Sequence, residues 1–518
     1  MLERAASYDA LCAGFDWNLP ARLNMAAQVC DDWAARKPDR VAIIDLTDGR
    51  RDFNYSELRR LTDGLAHELV ARGVKPGDRV GVLRSQGVWT AAAHIAIWKI
   101  GAISIPLFKL FMREALLSRV NDAGADLIIT DPEGAGMLDG QTPICPEDLN
   151  LSDAPFETAE TGPDTPAVLI YTSGTTGSAK GALHGHRVLT GHLPGVELPH
   201  DFLGQAGDCL WTPADWAWIG GLFNVLMPGL ALGVPVVAAR MAKFDVDDCQ
   251  RIIREAQVRN IFFPPTALRM LKAADAQING LRTVASGGEP LGAEMLDWGR
   301  QAFGLTINEF YGQTECNLVA CSCQQLFDPR PGCIGRVVPG HEVAVLDKDA
   351  QTTDAEGDVA VKRGSASMML EYWHRPEQTA DKFRGDWMLT GDRGIWEGDF
   401  LRFIGREDDV ITSSGYRIGP AEVEDCLLQH PAVATVGVVG KPDALRTEIV
   451  KAYVVVKPGA GPSDTLADEL KEFVKTRLAR YSYPREIGFL EELPMTVTGK
   501  VIRRELKARA AAETGAQK

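Results

Sequence analysis

The stretch Tyr171-Thr-Ser-Gly-Thr-Thr-Gly-Ser-Ala-Lys-Gly181 follows an apolar, β-branched run at 167–171 that is typical of a short buried strand. Its glycines permit positive φ or close approach of the backbone to a ligand, while its hydroxyl groups and Lys180 supply donors and a cation. The stretch therefore predicts a phosphate-binding loop at the end of a strand. It differs from a P-loop because two residues separate Gly177 from Lys180, and a glycine stands where the magnesium-binding hydroxyl would follow the lysine.

Short apolar runs alternate with segments of helical spacing over most of the chain. The predicted strands include residues 79–83, 126–130, 234–238 and 260–263, and the predicted helices include residues 56–72 and 246–256. This alternation favours α/β layers with mainly parallel strands. The long apolar run 222–239 is interrupted by glycines and prolines, so we expect buried strand and turn there and not a membrane span.

The pattern changes after about residue 405. The sequence predicts a helix with proline in its first turn from Gly419, strands at 434–439 and 449–456, and a helix along an apolar stripe that ends at Leu478. These elements suffice for a small domain with its own core. We therefore predict an α/β fold in which a large N-terminal domain of layered sheets and helices, residues 1–406, precedes a small C-terminal α+β domain, residues 407–518.

The charge and the N-terminal sequence exclude several classes of partner. The 518 residues include 55 basic and 70 acidic side chains, and the net charge of −15 argues against binding to nucleic acid or to an anionic membrane surface. The N-terminal sequence MLERAASYDALCAGFDWN lacks the apolar core of a signal peptide, so we expect no membrane insertion and a cytoplasmic location. Four of the ten cysteines lie close together but lack the paired spacing of a structural zinc site; they are Cys316, Cys321, Cys323 and Cys333.

Further motifs follow the loop in a fixed order. They are Gly287-Gly-Glu-Pro-Leu291, Tyr311-Gly-Gln-Thr-Glu315, Thr390-Gly-Asp392, Gly405-Arg-Glu-Asp-Asp-Val-Ile411, Ser414-Gly-Tyr-Arg-Ile418 and Pro494-Met-Thr-Val-Thr-Gly-Lys500. In this order the motifs resemble the acyl-adenylate-forming superfamily of AMP-binding enzymes, and most of all its acetyl- and medium-chain acyl-CoA synthetases. Ala179 departs from the family, which usually has proline there; we expect this to loosen the loop slightly without removing a donor.

The resemblance implies a nucleotide site assembled from these motifs. Gly288-Glu-Pro290 would form a flat surface against adenine and Tyr311 would cover its other face, while Asp392 would accept the ribose hydroxyls. Thr172 and Glu315 would lie at Mg2+, for which carboxylate and hydroxyl oxygens are suited. The implied nucleotide-binding residues are Thr172, Ser173, Gly174, Thr175, Thr176, Gly177, Lys180, Gly288, Glu289, Pro290, Glu309, Phe310, Tyr311, Gly312, Gln313, Thr314, Asp392, Arg406 and Arg417.

Lys500 is the predicted main catalytic residue. A lysine can hold both a substrate carboxylate and the α-phosphate of ATP, which offsets the repulsion between the two anions during in-line attack. The product would be an acyl-adenylate, from which coenzyme A would take the acyl group. Family members rotate a mobile C-terminal domain between the two steps; the resemblance puts the hinge at Asp408 and the coenzyme A tunnel at Ser414, Gly415 and Tyr416.

Two positions bear on the acid substrate. Acetate-specific relatives carry a bulky tryptophan where this chain has Gly312, so the glycine predicts a longer pocket, with Trp216 as its wall or gate. A medium-chain, branched or aryl carboxylic acid fits best, together with ATP, Mg2+ and coenzyme A. The alternative for Trp216 and Trp218 is that both belong simply to the core. For the whole chain, the alternatives are an enzyme that loads a carrier-protein phosphopantetheine and a non-catalytic nucleotide-binding protein.

Overall fold

The computed structural model describes residues 2–111, 113–172, 179–241, 243–289, 291–406, 409–413, 416–443, 446–478, 482–496 and 499–515. The strands are β1 Val41–Asp45, β2 Arg51–Asn54, β3 Arg79–Leu83, β4 Ile103–Pro106, β5 Leu127–Thr130, β6 Thr142–Ile144, β7 Pro166–Thr172, β8 Lys180–Gly185, β9 Leu210–Trp211, β10 Val236–Ala238, β11 Asn260–Phe262, β12 Thr283–Gly287, β13 Ile307–Gln313, β14 Asn317–Cys321, β15 Arg336–Val337, β16 Val343–Leu346, β17 Gly357–Lys362, β18 Glu371–Tyr372, β19 Phe383–Arg384, β20 Trp387–Glu397, β21 Phe400–Arg406, β22 Ile411–Ser413, β23 Tyr416–Ile418, β24 Val433–Asp443, β25 Thr447–Val456 and β26 Glu486–Phe489.

The helices are α1 Tyr8–Ala13, α2 Asp32–Arg36, α3 Tyr55–Ala71, α4 Val88–Ile100, α5 Arg113–Ala123, α6 Pro132–Ala135, α7 Arg187–Glu197, α8 Ile219–Gly221, α9 Met227–Leu232, α10 Val246–Glu255, α11 Pro265–Ala273, α12 Gly292–Phe303, α13 Pro376–Asp381, α14 Pro420–Leu428, α15 Asp464–Arg477 and α16 Arg503–Gly515. Single π-helical turns lie at Ala27–Asp31 and Leu222–Leu226, and a 3₁₀ turn at Pro146–Asp148. Within the described residues, no helix combines the length and the apolar character needed to cross a membrane.

Two large sheets form the body of the N-terminal part. One has nine strands in the order β15-β14-β13-β12-β11-β9-β10-β1-β2, with parallel pairing from β13 to β1; the other has seven in the order β18-β8-β7-β4-β3-β5-β6. The main apolar core contains residues from β1, β7, α4, α7 and α9, so it lies between these sheets. A second core packs α10, α11 and α12 on the nine-stranded sheet. This layered arrangement confirms the predicted fold class.

Two smaller sheets follow. An antiparallel sheet joins β16, β17, β20 and β19, with β21 on β20, and carries the chain to Arg406. A last sheet of β22 to β26 packs against α14 and α15 around a core of its own. The helices and strands predicted beyond residue 405 occur within one or a few residues of their expected positions. The boundary between residues 406 and 407 remains a prediction.

The segment 222–232 differs from its expected strand-and-turn structure. It forms a π-helical turn followed by α9, and only 236–238 are strand. Pro228 lies in the first turn of α9, and because the π-helical turn Leu222–Leu226 leads directly into that helix, it stands inside a continuous helical segment. Pro235 follows the helix and precedes β10, so neither proline prevents residues 222–232 from being helical.

Candidate functional site

The predicted phosphate loop joins two antiparallel strands. Thr172 at the end of β7 faces Lys180 at the start of β8, and the Thr172 hydroxyl donates to the Lys180 carbonyl oxygen at 3.4 Å. A hairpin differs from a P-loop, in which a helix follows the loop. The predicted ligands Ser173, Gly174, Thr175, Thr176 and Gly177 lie outside the described residues. The hairpin brings the predicted metal-side hydroxyl and the loop lysine together.

Tyr372 connects this hairpin to Glu315 and was missed from the sequence. It lies on β18, which pairs with β8, and its ring is 5.4 Å from the Lys180 ammonium. Its hydroxyl donates to Glu315 Oε1 at 2.5 Å, and burial, with Glu315 adding to it, raises the tyrosine pKa. Glu315 and Thr172 offer one carboxylate and one hydroxyl, a donor set that fits Mg2+, since this ion usually keeps waters and phosphate oxygens as its other ligands.

No group of three or more histidine, cysteine or acidic side chains able to hold a metal ion occurs in the described part of the chain. The clustered cysteines Cys316, Cys321, Cys323 and Cys333 are buried and carry free thiols.

Asp392 is the centre of a buried polar group. It accepts hydrogen bonds from the Tyr311 hydroxyl at 2.5 Å and the Gln313 amide at 2.8 Å, and Arg406 lies 3.4 Å from its other oxygen. The pairing of β20 with β21 sets Asp392 opposite Arg406. Burial raises the pKa of Asp392, while Arg406 opposes the rise. The structure thus brings together Asp392 and Arg406, which were predicted near the ribose, and Tyr311, which was predicted to cover the adenine.

Gly288 lies between Lys500 and Trp218. Its φ is +103°, and a Cβ built on it would lie 3.8 Å from the Lys500 ammonium nitrogen and 4.0 Å from the Trp218 ring. The next residue, Glu289, forms an ion pair with Arg269 of α11. Pro290 lies outside the described residues. The C-terminal lysine therefore lies at the predicted adenine-side loop, although 212 positions separate the two in the chain (500 − 288 = 212).

The loop that carries Lys500 is docked on α11. The Lys500 N–H donates to the Thr496 hydroxyl at 3.0 Å, and the Gly499 N–H donates to the Thr496 carbonyl oxygen at 2.9 Å, so Thr496 holds both residues. The Thr266 hydroxyl at the first turn of α11 donates to the Gly499 carbonyl oxygen at 3.2 Å. This contact connects the C-terminal sheet region to the N-terminal body at the residue immediately before Lys500.

Strand β13 carries the other predicted nucleotide residues. Glu309 is buried and accepts a hydrogen bond from the Leu291 N–H at 3.1 Å, and burial raises its pKa to about 8. Phe310 packs on Phe262 with a centroid distance of 5.1 Å. Thr314 follows the strand in a half-buried turn. Glu309 and Phe310 therefore pack beneath the loop around Gly288 on the side of the nine-stranded sheet, where Glu309 bonds to Leu291 and Phe310 lies against Gly287.

Gly312 differs from its predicted role in the acyl pocket. A Cβ on this residue would overlap the carbonyl oxygen of Asn317 on the neighbouring strand β14, where the pairing of β13 with β14 shifts register. The side-chain direction therefore points into the sheet and not into open space. A tryptophan cannot be accommodated here without moving β14. The prediction that Gly312 lengthens the acyl pocket by removing a tryptophan wall is therefore wrong.

Trp216 also differs from its predicted role. Its side chain is fully buried in the main core and therefore lines no space that water can reach. Trp218 is half-buried, lies against the Gly288 backbone, and packs on Phe262 at a centroid distance of 5.8 Å. The core alternative holds for Trp216, and Trp218 is the tryptophan at the site. The sequence does not indicate which of two tryptophans only two positions apart is buried and which lies at the site.

Of the remaining predicted residues, Tyr416 and Arg417 lie on β23 of the C-terminal sheet. Asp408, Ser414 and Gly415 lie outside the described residues, as do the side chains of Tyr416 and Arg417. Their assigned roles stay predictions.

Known proteins resemble the chain over nearly its full length. A family model described as AMP-binding enzyme matches residues 30–373, and one described as AMP-binding enzyme C-terminal domain matches residues 422–500. Acetyl-coenzyme A synthetase of Bacillus subtilis (strain 168) is 31% identical over 545 residues, covering 97% of this chain and 95% of that protein. Mitochondrial acyl-coenzyme A synthetase ACSM4 of Rattus norvegicus is 32% identical, covering 94% of this chain and 91% of its own.

A solved structure resembles the fold as well. The crystal structure of the anthranilate CoA ligase AuaEII in complex with anthranoyl-AMP matches with a TM-score of 0.88 and 26% identity, over 96% of this chain and 99% of that one.

Proposed function

This chain belongs to the AMP-binding enzyme family and is an AMP-forming acyl-CoA synthetase, and we propose that it activates a medium-chain, branched or aryl carboxylic acid. The carboxylate attacks the α-phosphate of ATP to give an acyl-adenylate and pyrophosphate. The coenzyme A thiol then attacks the activated carbonyl and releases AMP. We further propose that the enzyme acts in the cytoplasm.

The proximity of Lys500 to Gly288 carries the proposal for the first step. Two anions must meet in that step, and a lysine ammonium beside the nucleotide loop offsets their repulsion and stabilises the charge that develops at phosphorus. No protein nucleophile is needed, because the substrate carboxylate itself attacks. Lys500 is therefore the proposed catalytic residue.

The polar group around Asp392 supports the nucleotide site in the proposal. A carboxylate fixed by Tyr311 and Gln313 is preorganised to accept two neighbouring ribose hydroxyls, and Arg406 beside it can contact anionic oxygen. Lys180 and the loop before it are proposed to hold the phosphates. Glu315 and Thr172 would hold Mg2+, which neutralises charge on the phosphate oxygens when bound.

The second step needs a different arrangement, because Lys500 at Gly288 occupies one side of the site. We propose that residues 407–518 rotate as a unit about Asp408, withdrawing Lys500 and bringing Ser414, Gly415 and Tyr416 to the pantetheine tunnel. A short polar connection between two separately packed cores is suited to such a rotation.

Trp218 supports the proposed acid class. With Phe262 and Phe310 it forms an aromatic row beneath Gly288, so the space next to Lys500 has an apolar border. Apolar borders with a few polar groups suit an acid with a hydrocarbon or aryl body. An aryl acid also agrees with the anthranilate specificity named for the matching structure.

Acid-dependent pyrophosphate release tests the proposal. A panel of acetate, straight-chain acids from C4 to C12, branched acids and benzoates is assayed with and without coenzyme A, and with a phosphopantetheine carrier protein in its place. We expect release with hexanoate or benzoate exceeding that with acetate, and acyl-CoA as the product. A preference for acetate would overturn the acid class, and transfer to the carrier but not to coenzyme A would favour the carrier-loading alternative.

A further inference from the structure

One face of helix α11 contacts both halves of the proposed catalytic arrangement. Thr266 and Arg269 are three residues apart and so lie on the same side of the helix. Arg269 forms an ion pair with Glu289 in the loop that follows Gly288, within the N-terminal body. Thr266 contacts the C-terminal loop that carries Lys500.

The contact of Thr266 with the Lys500 loop is close and specific. The Thr266 hydroxyl donates to the Gly499 carbonyl oxygen at 3.2 Å, and a Cβ on Gly499 would lie 2.6 Å from the Thr266 oxygen. Gly499 has a φ of +80°, a conformation that favours glycine, so the turn presents its carbonyl group and no side chain at this point. The loop therefore fits against α11 through its backbone.

We propose that Thr266 is a positioning residue that docks the Lys500 loop for acyl-adenylate formation. Its hydroxyl fixes the residue immediately before Lys500 and so limits where the ammonium group can lie relative to Gly288. The contact joins two regions of the chain whose cores are separate, so it exists only while they adopt this orientation. The inference rests on the proposed function for the role of Lys500 but not for the docking contact itself.

The strength of the contact suits a reversible dock. A single neutral hydrogen bond shifts an equilibrium by roughly 3- to 10-fold, enough to favour one orientation without preventing release for the second step. Arg269 and Glu289 hold the opposing loop in place, so the lysine is brought to a fixed target. Loss of the Thr266 hydroxyl should therefore slow the first half-reaction alone.

The test compares Thr266→Val, which removes the hydroxyl at nearly constant volume, with Thr266→Ser, which keeps it. Thr476→Val, an exposed threonine on α15, is the matched control. Acyl-adenylate formation is measured from hexanoate or benzoate with ATP, and thioester formation from supplied acyl-adenylate with coenzyme A. Hydrogen exchange of the amides at 495–501 is measured in the absence of substrates.

For Thr266→Val we expect acyl-adenylate formation to fall about 3- to 10-fold. Thioester formation and the KM for ATP should stay unchanged, and exchange at 495–501 should become faster. Thr266→Ser and Thr476→Val should match the unmodified enzyme in all four measurements. Equal losses in both half-reactions, or exchange that stays at the unmodified rate, would overturn the proposal.

The exchange measurement separates this inference from the proposed function. If Lys500→Ala leaves acyl-adenylate formation intact, the catalytic assignment fails, while faster exchange in Thr266→Val still supports the docking contact. If Lys500→Ala abolishes the first step and Thr266→Val changes neither rate nor exchange, the catalytic assignment stands and the docking proposal is wrong.

Discussion

Lys500 bears the sharpest prediction for a single residue. Replacing it with alanine removes the charge that lies beside Gly288, so acyl-adenylate formation should fall by at least about 100-fold, as when a main electrostatic group of an active site is lost. Thioester formation from supplied acyl-adenylate should be largely spared. Rapid-quench measurement of each half-reaction checks both expectations.

The matched control is Arg504→Ala, which removes an exposed cation near Lys500 in the chain. It should leave both half-reactions unchanged. An equal loss of both half-reactions in Lys500→Ala would contradict the assignment, because it would point to a general structural role.

Trp218 should determine which acids the enzyme prefers. Trp218→Ala opens space beside Gly288, so longer acids should gain relative to shorter ones. One methylene in an apolar pocket is worth about 1–3 kcal/mol, and the ratio of kcat/KM for octanoate to that for butanoate should rise about 10-fold or more. Steady-state kinetics over a chain-length series provide the measurement.

Trp216→Phe is the control for this substitution. Because Trp216 is fully buried in the core, its replacement should lower thermal stability without changing the order of preferred acids. A changed order in Trp216→Phe together with an unchanged order in Trp218→Ala would reverse the two assignments.

Motifs indicate candidate site residues but not the contacts among them. Asp392, Arg406 and Glu315 each follow from a short stretch of sequence, and the structure brings the first two within 3.4 Å. Tyr372 could not be predicted as the partner of Glu315, because β18 meets β8 only through sheet pairing across the chain. Trp216 and Trp218 are two residues apart, and only the packed core distinguishes the buried one from the one at the site.

The close pairing of β13 with β14 predicts that a side chain at Gly312 lowers the stability of the protein. Gly312 lies where β13 shifts register against β14, and a Cβ would overlap the backbone of Asn317. Gly312→Ala should therefore lower the free energy of unfolding by about 1–3 kcal/mol, as for an overpacked interior. Urea unfolding of the purified variant measures the change.

Gly461→Ala is the control, because a Cβ at that position meets no atom within 4 Å and φ is not positive. It should alter stability by no more than about 0.5 kcal/mol. A Gly312→Ala enzyme of unchanged stability and altered acid preference would restore the original pocket interpretation.

Helices and strands lie at their predicted positions where a single clear signal, such as an apolar run or a helix cap, defines their ends. Strand β3 and helix α10 lie at or within one residue of their predicted ends, because apolar runs and an Asp245 cap define them. The segment 222–232 differed from its predicted strand and turn, because apolar residues without a clear period are compatible with a buried helix as well as with a buried strand. Likewise, the sequence between β7 and β8 has the composition of a ligand loop, but that composition does not show that the two flanking strands pair antiparallel.

At the level of the whole molecule, the sequence predicted two units but not their relative orientation. Lys500 could be assigned a role from its motif, yet its approach to Gly288 depends on how the C-terminal region packs on α11 and α12. Acidic side chains lie at this contact, among them Asp425 of α14 against Gly292 and, close by, Glu294 of α12. Its stability should therefore depend on charge.

Asp425 on α14 makes this interface sensitive to pH. Its carboxyl carbon would lie 3.0 Å from a Cβ on Gly292, the first residue of α12, so the carboxyl group is pressed against the N-terminal body. Burial raises its pKa to about 7, Glu424, Glu422 and Glu294 add to the rise, and Arg269 opposes it. Nearby Glu309 is buried as well, with a pKa of about 8 to which Asp425 contributes.

The direction of the pH effect follows from this raised pKa. An acid that is harder to ionise when docked binds more protons in the docked state, so docking is fully favoured below about pH 4 and weakens as the pH rises to about 7. Asp425→Asn should remove this weakening of docking at higher pH, because asparagine does not ionise. The rate of acyl-adenylate formation in Asp425→Asn, divided by that of the unmodified enzyme, should therefore rise between about pH 5 and 7 and then level off. Asp468→Asn, an exposed aspartate of α15, should give a ratio that stays constant with pH. A ratio for Asp425→Asn that stays constant with pH would contradict the prediction, because ionisation of an acid buried at this interface must shift the docking equilibrium.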